Sequence, residues 1–376
     1  MDWHKCRFLE SSENLKPLVR ERFGREPSTS IARQISACLQ QGRLFYEAAA
    51  SSPLEIRPLQ QFYGTVGFSK ALVVARRLCS LSSLRPAHGI QDISTPNSRI
   101  ADLRLKIGEA GTFQEFNDVI AELAQVYCSD SFANIWTVPL PSTKANQLSH
   151  IELSLREILS RISGLESLYQ MTFGEDANSA SFLLMSDDGK SFKIEVTESR
   201  VFTDRQSLRQ IVDGWRTRFP FLRMWRLEST VRAWGYSTIC FVNTGKTELD
   251  EFSELYLVGQ GSTFQAVNVP VGNSLPLEQA LYSIGGGVIT NSPHAISPVN
   301  GLSLSEFSLH YLSLFLLSSL VRYRPQIWAY AISRSVTSEE PADDQALSLI
   351  QRFLDLNMNV IPDMVVKVLN PHEECF

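Results

Sequence analysis

The sequence predicts an α+β protein: a helical core from the N- and C-terminal parts, with a β-rich middle lobe. Three observations predict it. Apolar residues recur at helical spacing up to about Gln170. From Met171 to about Val271, β-branched and aromatic residues gather in short runs broken by Gly-containing turns. Helical character then returns in the stretch "SLSEFSLHYLSLFLLSSLVRYRPQIW". The expected parts are therefore 1–170, 171–271 and 272–376, the last packing on the first.

Taken in order, "SSENLKPLVRERFG" offers a serine cap, a Glu in the first turn and a Gly after the last basic residues. "TSIARQISACLQQGRLFYEAAASS" follows with Ile31, Ile35, Cys38 and Leu39 at helical spacing. Pro58 suits the first turn of the next helix, and the Ser/Pro-rich break from Ser80 to Pro86 ends it. In that helix Gly64 and Gly67 leave room for a neighbour to approach closely. "TFQEFNDVIAELAQVY" and "HIELSLREILSRISGLESLY" read as two more amphipathic helices. In the middle part, Asp187-Asp188-Gly189-Lys190 between two strand-like runs signals a hairpin, and "DRQSLRQIVDGWRTRF" signals one helix. The run from Leu309 to Val321 has no polar face, so other elements must cover it, most economically the Phe62 to Leu78 helix. Pro325 ends or kinks it at Tyr323 or Arg324, and two short helices complete the chain.

With 35 Lys and Arg against 40 Asp and Glu, the formal net charge is −5. That balance does not support a protein that coats nucleic acid through its overall charge. The six cysteines are scattered without a C-x-x-C pair, which implies free thiols in a reducing compartment. The N-terminal stretch is charged and amphipathic, unlike a signal peptide. The longest apolar run holds His310 and three serines and is too short to span a bilayer. A cytoplasmic location away from membranes follows as the expectation.

Lys70 lies among apolar residues, so its charge must reach water or a partner. An anion-binding role competes with a structural pair to helix-end carbonyls or to a carboxylate, Asp102 or Glu109 being candidates, and the pair is favoured. His88, in "RPAHGI", follows Arg85 by three residues. HEPN-type ribonucleases place an Arg and a later His about four to six residues apart, so both reach one phosphate. Arg85 is too close for that and Arg77 too far, which favours a packing histidine that bonds a carbonyl or a side chain. Arg322, Tyr323, Arg324 and Trp328 crowd one helix end. Cations there complement the helix dipole. The sharper alternative is an arginine–aromatic pocket for a phosphate or a base. The glycines of "IGGGVITNSPH" lack a following Lys-Ser/Thr, the histidines are not at metal-ligand spacing, and no G-x-S-x-G elbow occurs. No cofactor or metal is expected.

"GRLFYEAA" and "PLEIRPLQQFYGTVGFSKALV…AHGI" together resemble the core motif of the YaaC-like protein family, in which an F-Y-G helix with a lysine leads to an H-G pair. "LRLKIGEAGTFQEF" resembles the segment that follows. "LSEFSLHYLSLFLLSSLVRYRPQIW" and "IQRFLDLNMNVIPDMVVKVL" resemble the C-terminal end. The resemblance covers both helical parts and least of the β-rich middle. It implies a bacterial protein and no particular activity. The family's basic segment after the H-G pair is replaced by "QDISTPNSRIAD", which weakens nucleic-acid binding there.

The absence of a complete catalytic constellation favours a non-catalytic scaffold in a bacterial complex, set in anti-phage defence or stress response. It would work with a protein partner or a second copy of itself. A HEPN-like RNA-cleaving enzyme or toxin using Arg85 and His88 is the first alternative, with Lys70 or Arg322 assisting. A nucleotide or small-ligand sensor, binding through Lys70, Arg322, Arg324 and Trp328 between the two helical parts, is the second.

Overall fold

The computed structural model describes residues 3–96, 98–123, 125–130, 134–139, 143–186, 191–233, 236–243, 251–252, 255–257, 263–266, 294–333 and 345–373. Among these residues the helices, in chain order, are α1 (Trp3–Leu9), α2 (Ser12–Phe23), α3 (Thr29–Ser51), α4 (Arg57–Arg77), α5 (Thr112–Glu122), α6 (Ala145–Leu148), α7 (Leu155–Leu159), α8 (Glu166–Phe173), α9 (Arg205–Arg218), α10 (Glu306–Tyr323), α11 (Pro325–Ser333) and α12 (Leu347–Leu369). The strands are β1 (Ile90–Asp92), β2 (Arg104–Ile107), β3 (Gln125–Ser129), β4 (Ile135–Pro139), β5 (Glu152–Ser154), β6 (Ser179–Met185), β7 (Lys193–Glu198), β8 (Arg226–Ala233), β9 (Tyr236–Val242), β10 (Leu255–Leu257), β11 (Phe264–Ala266) and β12 (His294–Ile296). The hairpin turn expected at Asp187–Lys190 and the triple-glycine stretch lie outside the described residues.

The chain divides into two compact units. One comprises Met1–Leu123, Thr143–Ala177 and Ser305–Phe376, and the other Ala124–Ser142 and Asn178–Leu304. The class is α+β, with the helices of both chain ends in the first unit and the larger sheet in the second. The unit boundaries differ from 1–170, 171–271 and 272–376. Residues 125–129 pair with 135–139, and Ser129 then meets Met185 of β6, so this hairpin belongs to the larger sheet. β12 also pairs with β6, which carries the sheet unit on to Leu304.

In the helical unit, the Ser11 hydroxyl accepts from the Asn14 N–H to start α2, and Gly24 closes it in the left-handed region at φ 75°. α3 and α4 pack closely because their contact is lined with glycine. A Cβ on Gly67 would stand 3.0 Å from the Gly42 nitrogen, and one on Gly64 would stand 2.4 Å from the Tyr46 ring. α10 is buried throughout from Glu306 to Leu320. It packs on α4, as its lack of a polar face requires. Phe62 meets Tyr311 and Phe315 edge-on, at 5.7 and 6.0 Å between ring centroids. Each such pair contributes roughly 0.5–1.5 kcal/mol beyond its buried area.

Several elements depart from the periodicity reading. The region before Gln170 holds an antiparallel sheet, β1-β2-β5. α5 stops at Glu122, before β3, and "HIELSL" supplies β5 ahead of the short α7. The last two helices expected are one: α12 runs 23 residues through Pro362. An interior proline costs ~3 kcal/mol. Burial of Phe353, Leu354, Ile361, Val365 and Leu369 along the same helix offsets that cost.

In the sheet unit the order is β10-β11-β8-β9-β7-β6-β3-β4. β6 and β7 pair antiparallel. α9 starts from an Asp204 cap and puts Leu208, Ile211, Val212 and Trp215 into one apolar cluster with Ile194, Val196, Ile239 and Phe241.

Candidate functional site

One stripe of α4 forms the floor of a cavity of about 500 Å³ in the helical unit. Leu59, Tyr63, Val66 and Lys70 line it, at successive spacings of four, three and four residues that keep them on one helical face. Gln60 joins them, Gln41 and Phe45 line it from α3, and His88 completes the wall. The Phe45 and Tyr63 rings stand 5.7 Å apart with 31° between their planes.

His88 is held by its neighbours' backbone. The Thr112 and Phe113 N–H groups, at the start of α5, donate to the carbonyls of Ala87 and His88 at 2.8 and 3.1 Å. The Gly89 carbonyl accepts from the Gly108 N–H at 2.9 Å and from Gln114 Nε2 at 2.7 Å. Gly89 sits at φ 77°, and a Cβ there would lie 1.8 Å from Gln114 Oε1, so only glycine fits. The imidazole packs edge-on against Phe62 at 5.1 Å and Phe315 at 6.3 Å. The carbonyl or side-chain bond expected of it is not formed: Nδ1 is buried with no hydrogen-bond partner among the described residues. The ring is half-buried.

Burial lowers the His88 pKa from its ordinary value, and the positive charges of Arg322 and Lys70 lower it further. The imidazole is therefore neutral at pH 7. Arg322 lies over the Phe62 ring at 5.9 Å and over Tyr323 at 4.9 Å, and it donates to the Ser318 carbonyl at 3.2 Å. Neither Lys70 nor Arg322 has a carboxylate partner among the described residues. The structural pair expected for Lys70 is thus absent, because Glu109 lies instead 3.7 Å from His150. On α3, Cys38 is pushed up to about 11 by burial, with Lys70's charge pulling the other way, so its thiol is inert at neutral pH.

The remaining sequence candidates stand apart. Arg324 donates to Asp92 Oδ2 at 3.2 Å and to the Ser94 carbonyl at 3.0 Å. Asp92 also accepts from the Ser319 hydroxyl at 2.5 Å. Burial opposes ionisation of Asp92, but bonds from Ser319 and Ser94 and the charge of Arg324 outweigh it, so its pKa is lowered. Trp328 is buried, its indole N–H donating to the Glu55 carbonyl at 3.1 Å. Arg324 and Trp328 therefore anchor the end of α10 and the start of α11. Arg85 is exposed, and its carbonyl accepts from the Thr112 hydroxyl. The cations acting on His88 are Lys70 and Arg322, not Arg85.

Sequence reasoning named Lys70, His88 and Arg322 but missed Gln41, Phe45, Leu59, Gln60 and Tyr63 as cavity walls. The 59/63/66/70 spacing could have shown them. A second groove, lined by Arg25, Arg76, Arg77, Asp118, Val119 and Glu122, differs in charge. There Arg76 pairs with Glu122 at 2.9 Å and Arg77 with Glu115 at 3.3 Å. Among the described residues no cluster of three or more His, Cys, Asp or Glu is placed to hold a metal. Nor is any helix among them long and apolar enough to cross a membrane.

The geometry defines an α+β protein whose helical unit carries an aromatic cavity lined by Lys70 and His88. The chain belongs to the YaaC-like protein family, whose model matches residues 7–369. No curated protein and no solved structure matches the chain.

Proposed function

We propose that the chain is a binding protein for a small anionic ligand, held in the cavity between α3, α4 and the His88 turn. One observation carries this reading. Lys70 and His88 line one cavity with aromatic walls, the charge of Arg322 reaches His88, and no carboxylate among the described residues neutralises the lysine or the arginine. Unmatched cations in a partly desolvated site favour an anion, because Coulomb attraction there is stronger than in bulk water. The cavity volume lies within the range of small-molecule sites, roughly 300–1,000 Å³. The reading keeps the non-catalytic role expected from the sequence and replaces a general scaffold with a ligand-responsive one.

The test is a thermal-shift panel of inorganic phosphate, phosphorylated metabolites and dicarboxylates on the full chain. A ligand at a hundred times its dissociation constant stabilises by about 2.7 kcal/mol. At least one anion should raise the melting temperature, and Lys70→Glu should abolish that shift while leaving the unliganded protein folded. A panel without any shift, or a shift unchanged in Lys70→Glu, would overturn the proposal.

A further inference from the structure

Resting on that anion-binding reading, we infer that the ligand is a nucleoside phosphate, its phosphate on Lys70 and His88 and its base against Phe45 and Tyr63. Two features of the cavity beyond its charge point there.

The first is its length and lining. Lys70 and Gln60 are ten residues apart on α4, roughly 15 Å along the axis at 1.5 Å per residue. The stripe between them is Val66 and Tyr63, with Phe45 facing from α3. A bare phosphate or a short sugar phosphate would leave these half-buried rings facing water. A planar base has a π-face that stacks on either ring, and such stacking tolerates any base.

The second is the polar group at the far end. Gln60 Oε1 is buried and has no hydrogen-bond partner among the described residues, and Gln60 lines the cavity. A buried acceptor left unmade costs roughly 1–3 kcal/mol. A ligand that supplies an N–H there recovers that cost. The exocyclic amine or ring N–H of a nucleobase does so, while an alkyl chain has nothing to donate. Gln41 lines the cavity from α3 and adds a second amide to it. Acyl phosphates and lipid headgroups satisfy the cationic end alone.

The test measures affinity calorimetrically for the four ribonucleoside monophosphates, ribose 5-phosphate, dodecyl phosphate and inorganic phosphate. At least one nucleotide should bind more tightly than ribose 5-phosphate, by about fivefold or more for a single stacked base. Tyr63→Leu should remove that advantage and leave ribose 5-phosphate binding unchanged. Gln60→Leu, which keeps the ring slot, should alter the ranking among the four bases. Circular dichroism confirms that each variant folds.

Ribose 5-phosphate binding as tightly as every nucleotide would overturn the base slot and leave the anion site standing. Dodecyl phosphate outcompeting every nucleotide would assign the apolar stripe to a lipid tail and also overturn it. If none of the seven compounds binds, the inference fails, while the wider anion panel still decides the proposed function.

Discussion

Lys70 enters a helix whose neighbours are nearly all apolar, and a charge so placed needs water or a partner. The structure gives it a place in the lining of a cavity beside His88, and the charges of Lys70 and Arg322 act together on that imidazole. Lys70→Met should therefore leave stability unchanged within about 0.5 kcal/mol, as for other substitutions away from packed or paired sites. The same change should raise the His88 pKa, because it removes one of the two positive charges that oppose protonation. Burial, the larger cause, remains, so the value should stay below that of a free histidine. Titration of the His88 ring protons by NMR in both proteins checks the sign, and an unchanged pKa would separate Lys70 from the site. Part of this was legible in the sequence: a lysine in an apolar run and an H-G pair mark the two positions. What joins them was not, since Arg322 lies more than 230 positions beyond His88 and only the packing of α10 on α4 brings it to Phe62.

Among elements, the pairing of α3 with α4 rests on three glycines that do different work from the glycine of α9. Gly64→Ala would drive a methyl to 2.4 Å from the Tyr46 ring, whose hydroxyl is bonded to Thr65 and Asn357. Overpacking of this kind costs roughly 1–3 kcal/mol. The gain in helix propensity, about 1 kcal/mol, does not cover it. Gly214→Ala in α9 meets nothing within 4 Å and needs no left-handed backbone. It should stabilise the sheet unit by about 0.5–1 kcal/mol. Urea unfolding of both variants tests the contrast, and equal effects would show that helix propensity alone decides. Long helices were legible because their apolar spacing is sustained over many turns. "HIELSL" was not, because Ile151, Leu153 and Leu155 are buried alternately with more exposed neighbours, a period of two, before helical spacing resumes. A window that spans both periods reports the longer one. Pro362 misled in the opposite direction, since tertiary burial along α12 overrides the local cost of the proline.

On the scale of the molecule, the N- and C-terminal parts are tied by a buried relay whose direction is fixed. Tyr46 Oη donates to Asn357 Oδ1 at 2.7 Å, so its single hydrogen is used, and Thr65 Oγ1 must donate to Tyr46 at 2.8 Å. Asn357 Nδ2 then donates to His310 Nδ1 at 3.0 Å, which makes that nitrogen an acceptor and puts the ring proton on Nε2. A proton on Nδ1 would face the Asn357 amine donor to donor, and turning the amide to relieve this would break the bond from Tyr46. Burial alone pushes the His310 pKa down to about 3. In the unfolded chain the same histidine titrates near 6.5. Between those values the unfolded state binds a proton that the folded state refuses, so stability falls as pH falls, by about 1.4 kcal/mol per pH unit for this one group. His88, lowered for a similar reason, adds a smaller loss of the same sign. Asp92, its pKa also lowered, adds its own loss only at lower pH, once it falls below the carboxylate's unfolded value. Urea unfolding of the helical unit at pH 7.0, 6.0 and 5.0 should therefore show a steady loss of stability. His310→Leu should be less stable at pH 7, because Asn357 loses its acceptor, yet its stability should fall less steeply from pH 6.0 to 5.0. The same slope in both proteins would mean that His310 is protonated in the folded state and that the relay does not run from Thr65 through Tyr46 and Asn357 to His310.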